Sequence, residues 1–321
     1  MKKEVYPALQ LVQQLTKKYP GCWEIIEDMR GHFASEFPAW CYIPIGACQA
    51  ITEHISGHVD LDGSMCMAAA AAWRQSKNVY TFNLDMQNTL FEQADEELVL
   101  PVSIFDRMPY PCIYIETKGL PIHGFFVHKE YDVNTKKSEL RFYFVNPDGH
   151  GYGMMMHLLQ NRTITECMED TFKTVREKST YYANQDAKPA TRMIALSLQL
   201  VIYICAENAE VNENPVQKKI YRRDKTVKDA YREMRKWDVG YKMGSLLRAA
   251  RTTGATGERK AETAGTGSPK RPHSRRGHWS HYHVGPGRKE TIVKWIAPTF
   301  VNAEMLDLEN MPVTITKITN E

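Results

Sequence analysis

Apolar positions repeat with a helical period through the first hundred residues. Leu9, Leu11, Val12 and Leu15 form one stripe that ends at Tyr19-Pro20-Gly21, and Trp23, Ile25, Ile26 and Met29 begin another. The run MCMAAAAAWRQ at 65–75 predicts a compact helix whose alanines let neighbours approach closely. From residue 111 the period falls to two. PCIYIET (111–117), HGFFVHKEYDV (123–133) and ELRFYFVN (139–146) are rich in β-branched and aromatic residues, and turn-forming Lys118-Gly119, residues 134–137 and Pro147-Asp148-Gly149 separate and close them. That pattern predicts an antiparallel meander. Helical spacing returns at 163–180 and 189–206, where Thr163 with Glu166 three residues on forms a capping box, and the two helices are expected to cover one face of the sheet. The fold class is therefore α+β: a helical N-terminal part, a central antiparallel sheet with covering helices, and a basic C-terminal lobe with short strands.

After Pro215 the character changes. Lys and Arg dominate 218–236, with helical spacing at Val227, Tyr231 and Met234, which predicts a solvated charged helix. Gly240 and Gly244 then open a short helix toward Arg248, and the Gly-, Thr- and Ala-rich stretch 252–270 reads as a flexible linker. ETIVKWIAPTFV (290–301) and MPVTITKI (311–318) read as strands. The expected units are an α+β body at 1–215, a basic helical segment at 216–251, the linker at 252–270 and a basic signature with strands at 271–321.

The net charge of +3 hides an asymmetry that changes this picture. Residues 216–296 hold 21 Lys and Arg against 7 Asp and Glu, whereas the rest of the chain holds 20 against 31. An acidic body thus carries a basic C-terminal part, a field suited to a polyanion such as nucleic acid, unless the two halves attract each other. A chain of 321 residues with 43% hydrophobic content can bury a real core. No window reaches the roughly 18 uninterrupted apolar residues of a membrane span, and the N-terminus has no secretory h-region, so a cytosolic protein without a membrane partner is expected. The seven cysteines are scattered and form no Cys-x-x-Cys pair, which argues against a disulfide framework and a zinc site and predicts reduced core thiols.

The chemistry concentrates in RPHSRRGHWSHYHVGPGR, residues 271–288. Arginine forks bind phosphate oxygens, tryptophan offers a stacking plane to an exposed base and Gly277 allows close backbone approach. Arg271, His273, Arg275, Arg276, His278, Trp279, Tyr282 and Arg288 are therefore the candidate contacts to RNA or the ribosome. If 272–283 is extended, His273, Arg275, Gly277, Trp279, His281 and His283 face one way. Trp279 and Tyr282 have a second reading, as core residues flanked by solvated charge. A metal-independent ribonuclease is a third, with His278 and His281 as candidate acid and base. No metal or other cofactor is expected: the stretch holds no carboxylate or cysteine, and its arginines repel a cation.

The run Arg271-Pro272-His273-x-Arg275-Arg276-Gly277-His278-Trp279-x-x-Tyr282, with Gly287, Lys294-Trp295 and Phe300-Val301-Asn302 behind it, resembles the C-terminal signature of the second described type V-A anti-CRISPR family. Fainter echoes run upstream in the same order: Trp73-Arg74, Ser103-Ile104-Phe105, the Pro109 to Ile115 strand with Cys112 and Tyr114, Cys205-Ala206-Glu207 and Gly240-x-x-x-Gly244. The resemblance covers residues 70–303. It implies a phage or plasmid protein that does not block the assembled effector nuclease. Such a protein lowers the effector's synthesis by recognising an N-terminal segment of the nascent polypeptide and causing loss of the translated message. The implied partners are that nascent peptide of a type V-A Cas effector and RNA, the ribosome or an mRNA-decay factor. Ribonuclease action and a plain protein-binding adaptor are the alternatives, and the chain is not expected to be an enzyme itself.

Overall fold

A computed structural model describes residues 6–33, 35–178, 186–213, 234–255, 273–275 and 277–301. Four helices come first: α1 (Pro7–Lys18), α2 (Cys22–His32), α3 (Ile45–Ser56) and α4 (Leu61–Arg74). The first two follow the predicted stripes, and α1 closes where Pro20 removes a backbone donor. Asp60 caps α4 by accepting the Gly63 N–H at 2.9 Å, and it also binds Lys18 Nζ at 2.6 Å and the Tyr19 hydroxyl. Burial pushes that carboxyl up, but the hydrogen bonds from Lys18, Tyr19 and Gly63 outweigh it and hold the pKa at about 2.

One sheet runs through the centre, in the strand order β5-β4-β3-β2-β1-β7-β6. The strands are β1 (Asn78–Phe82), β2 (Cys112–Glu116), β3 (Gly124–Asp132), β4 (Lys137–Val145), β5 (Gly151–His157), β6 (Val211–Glu213) and β7 (Arg235–Val239). The predicted meander is present as β2, β3 and β4, and β5 extends it. The sheet as a whole is mixed where an antiparallel one was expected, because β1 pairs in parallel with both β2 and β7. A parallel pair needs a crossover, and α5 (Leu84–Glu92) with the 3-10 turn Val102–Arg107 supplies it between β1 and β2.

Residues 235–239 also correct the sequence reading. Arg235 and Lys236, the last residues of the charged helix expected over 218–236, lie instead in strand β7, in register from Asn78↔Arg235 to Phe82↔Val239, and 218–233 fall outside the described residues. Trp237 stacks on Tyr80 with ring centroids 6.1 Å apart and donates its indole N–H to Asn78 Oδ1 at 2.6 Å. Backbone pairing inside a sheet and one aromatic seat outweigh the local charge. The expected boundary at 215/216 therefore falls between two paired strands, β6 and β7. The next helix, α8 (Tyr241–Ala255), runs beyond Arg248 into the first four residues of the expected linker. Residues 214–233, 256–272 and 302–321, which include the rest of that linker and the 311–318 strand, lie outside the described residues.

Helices cover both faces. One core packs α1–α4 on Val79, Cys112, Tyr114, Phe126 and Tyr143, with Trp73 at its centre. The other packs α5, α6 (Ile164–Lys178), α7 (Lys188–Cys205) and α8 on Tyr80, Ile113, Phe125, Phe142 and Phe144. The capping box on α6 is reciprocal: the Thr163 N–H donates to Glu166 Oε2 at 2.8 Å, and the Glu166 N–H to Thr163 Oγ1 at 3.1 Å. All seven cysteines are buried and free, and burial pushes the thiols of Cys22 and Cys41 up to about 11 and about 12, far from thiolate chemistry. No described helix is long and apolar enough to cross a membrane.

Candidate functional site

The C-terminal signature folds into two short antiparallel pairs. β8 (His273–Arg275) pairs with β11 (Thr299–Val301), and β9 (His278–Val284) pairs with β10 (Glu290–Ile296). Buried Gly277 stands between β8 and β9, where a Cβ would lie 3.0 Å from Gln93 Oε1 and 3.1 Å from the Ile296 carbonyl. A side chain there would crowd Gln93 and the Ile296 carbonyl, which would have to give by a few tenths of an ångström.

Strand alternation sorts the predicted contacts into two sets. Trp279, His281 and His283 share one face with their partners Trp295, Val293 and Thr291. Only the end of that face nearest Gly277 meets the body, and His281 and His283 further along it are exposed. Val293 and Trp295 are buried in the core that holds α7, Trp279 packs against the same core, and its indole N–H donates to Gln199 Oε1 at 2.8 Å. Trp295 meets Tyr203 edge-on at 5.6 Å, and Asn208 brackets its backbone, accepting its N–H at 3.1 Å and donating to its carbonyl at 2.7 Å. Trp279 is thus a seated anchor, in line with the core reading of that residue.

His278, Ser280 and Tyr282 take the opposite face, with Ile296, Lys294 and Ile292 as partners. Tyr282 is 43% exposed and carries Lys294 Nζ 5.6 Å from its ring centroid. Arg288, fully outside at the ribbon's tip, follows Gly285 and Gly287, whose left-handed φ values of 79° and 68° turn the chain back into β10. His278 and His281 stand three residues apart in one strand and so point to opposite faces, which separates the two proposed acid–base partners. Partial covering of its ring and the neighbouring His283 hold the His281 imidazole below its usual range. The backbones of His273 and Arg275 lie in β8, while Arg271 and Arg276 fall outside the described residues. Among the described residues, no group of three His, Cys, Asp or Glu side chains is placed to hold a metal ion.

The family described as AcrVA2-like, anti-CRISPR type V subtype A2, matches residues 80–303, from β1 to just past β11. The chain belongs to that family. Among curated proteins, Protein FinQ of Escherichia coli is 25% identical over 283 residues, covering 77% of this chain and 78% of FinQ. Among solved structures, a crystal structure of AcrVA2 superposes with a TM-score of 0.60 at 17% identity, covering 93% of this chain and 100% of that one. At that identity the likeness is one of fold. Helices α1–α4 precede the stretch that matches the family.

The sequence did not reveal a second constellation in this family member, a seam of buried charge across β3, β4 and β5. Glu130 and Glu139 lie directly opposite each other, and Arg141 joins them, with Nε 3.0 Å from Glu130 Oε1 and Nη2 2.6 Å from Glu139 Oε2. Glu130 also accepts the Ile45 N–H at the start of α3, at 2.9 Å. His157 places Nε2 3.4 Å from Glu139 Oε1 and Nδ1 2.6 Å from Asp170 Oδ2, the same oxygen that Lys137 binds. Burial pushes His157 down, but Glu139 and Asp170 outweigh it and hold the imidazole above its usual range. Each charge in the seam is taken up by a neighbour, so the seam fixes the register of three strands. The signal was present as charged residues at alternate positions of β3 and β4, but nothing in their spacing pairs them across strands.

Proposed function

We propose that this family member lowers synthesis of a type V-A Cas effector in the cytoplasm of the host bacterium. It recognises the N-terminal segment of the nascent effector, and its C-terminal ribbon contacts RNA, the ribosome or a decay factor, so that the translated message is lost. Membership of an anti-CRISPR type V family supports the target class. The observation that carries the second contact is the two-faced ribbon: Trp279 and Trp295 seat one face on the body, leaving His278, Tyr282 and Lys294 on the other, with Arg288 at the tip. A cation beside an exposed aromatic ring, held on a rigid support, suits phosphate and base together. The placement of His278 and His281 on opposite faces weighs against a two-imidazole ribonuclease.

The deciding experiment fuses the first codons of the effector to an unrelated reporter and follows message half-life with and without the protein. A synonymous recoding that keeps the peptide should still lose its message, and a compensated frameshift that keeps most of the RNA should be spared. The opposite pattern would mean that the message itself is recognised.

A further inference from the structure

Strand β5 ends the sheet on one side, and its backbone shows which residues remain open. The His157 N–H donates to Thr171 Oγ1 on α6 at 2.8 Å, away from β4, and at the other end the Asn146 N–H takes the His150 carbonyl at 2.7 Å. Inward and outward residues alternate along an antiparallel strand, so Gly151, Gly153 and Met155 also direct their N–H and C=O groups away from β4. All three are half-buried, and their outward groups have no hydrogen-bond partner among the described residues.

The opposite edge strand, β6, has three residues and offers little template. The outer edge of β10 is closed by Asn208. β5 carries none of the lysine or proline with which exposed edges are usually blunted. Its surroundings are apolar and soft. Met65 of α4 lies against Gly153, and Leu61, one turn earlier on the same helix face, is 56% exposed. Met155 shares the α4 side of the sheet, and half-buried Tyr152 and Met154 line the other side. Methionine thioethers repack around differing side chains at little cost.

We propose that the edge of β5 takes up an extended peptide as an added strand, with Gly151, Gly153 and Met155 supplying the backbone ladder and Leu61, Met65, Met155, Tyr152 and Met154 receiving its side chains. The proposal rests on the reading that the protein recognises a nascent peptide, and it assigns that peptide a place. With one end closed by α6 and the other by the hairpin turn, the open run spans five residues, about 17 Å of strand. That length suits one linear segment. A two-fold pairing of copies would rest on the same five residues from each, far short of the roughly 1,200 Å² that a stable interface buries.

The test uses the purified full-length protein and overlapping synthetic peptides covering the amino-terminal segment of the effector. The binding peptide is remade in two forms, N-methylated at alternate residues in opposite phase. One phase removes the donors that would face β5 and should weaken binding by about tenfold or more, and the other should bind as the parent does. Met155→Pro deletes an outward N–H without touching a bond to β4, and Met155→Lys places a charge on the edge; both should weaken binding similarly. Equal binding of both methylated forms and unchanged affinity of both variants, with the reporter message still lost, would overturn the β5 assignment and leave peptide recognition standing. A wild-type protein that binds no peptide and spares the peptide-encoding reporter would remove both. A dimer in sedimentation that Met155→Lys separates, with peptide affinity intact, would make the occupant a second copy and end the proposal.

Discussion

His157 shows how a single buried side chain ties stability to pH. Its imidazole sits between Glu139 and Asp170 and is held above its usual range, so its stabilising charge is fully present below the ordinary value of about 6.5 and is lost as pH rises through the folded value. Asp170 shifts the other way: burial pushes it up, hydrogen bonds from Lys137 and His157 outweigh that, and its contribution is lost as pH falls. His157→Gln should therefore cost about 1.5–3 kcal/mol near pH 6 in urea unfolding and much less at alkaline pH. A loss of the same size at both would show that packing alone accounts for the residue. The ribbon histidines make a contrasting case. Because His278 and His281 face opposite sides, His278→Gln and His281→Gln should act independently, each changing target-message half-life by about tenfold at most. A lost proton transfer would show a hundred- to ten-thousandfold effect on RNA cleavage by the purified protein.

At the scale of the element, caps and edges matter more than propensity. Asp60 both caps α4 and holds Lys18 and Tyr19 from α1, roles that Asp60→Asn separates, since asparagine caps equally well but carries no charge. Wild-type stability from this group is present above the unfolded value of about 3.9 and is lost as pH falls toward the folded value of about 2. Thermal unfolding of Asp60→Asn should lose that acid dependence while keeping α4 intact, whereas Asp60→Ala should cost about a further 1 kcal/mol. Thr163→Ala, which breaks the reciprocal cap of α6, should cost about the same. An unchanged melting temperature there would mean that burial of Ile164 and Met168 alone fixes the start of the helix.

Across the whole molecule, the basic ribbon and the acidic body form one packed unit. Trp295→Ala should cost about 3–5 kcal/mol, because the ring is buried in the core that contains α7 and its loss leaves a cavity there. The triple change Tyr282→Ala, Lys294→Ala and Arg288→Ala touches only the outer face and tip, and it should leave the melting temperature unchanged. It should weaken RNA or ribosome association and flatten its salt dependence by about one unit of slope for each phosphate no longer neutralised. Intact binding in the folded triple variant would move the nucleic-acid interface elsewhere on the protein.

The sequence by itself determined the elements whose periodicity is unbroken: α1, α2, the meander strands, the α6 cap and α7, along with the family, through a signature carrying rare residue types at close spacing. Tertiary structure decided the rest. β1 and β7 are five-residue strands, too short and, in β7, too charged to show a period, and they exist because parallel neighbours complete their ladders. β5 was hidden because Gly-Tyr-Gly-Met-Met-Met has no polar alternation: both of its faces are half-buried beside helical layers, so neither face carries a run of polar residues. The seam of Glu130, Glu139, Arg141 and His157 was not legible because charge in a sequence says nothing of its partner, and here the partner is the next strand. Trp279 followed the same logic: its residue type promised a stacking plane, and only the position of Gln199, eighty residues away in the chain, turned it toward the core.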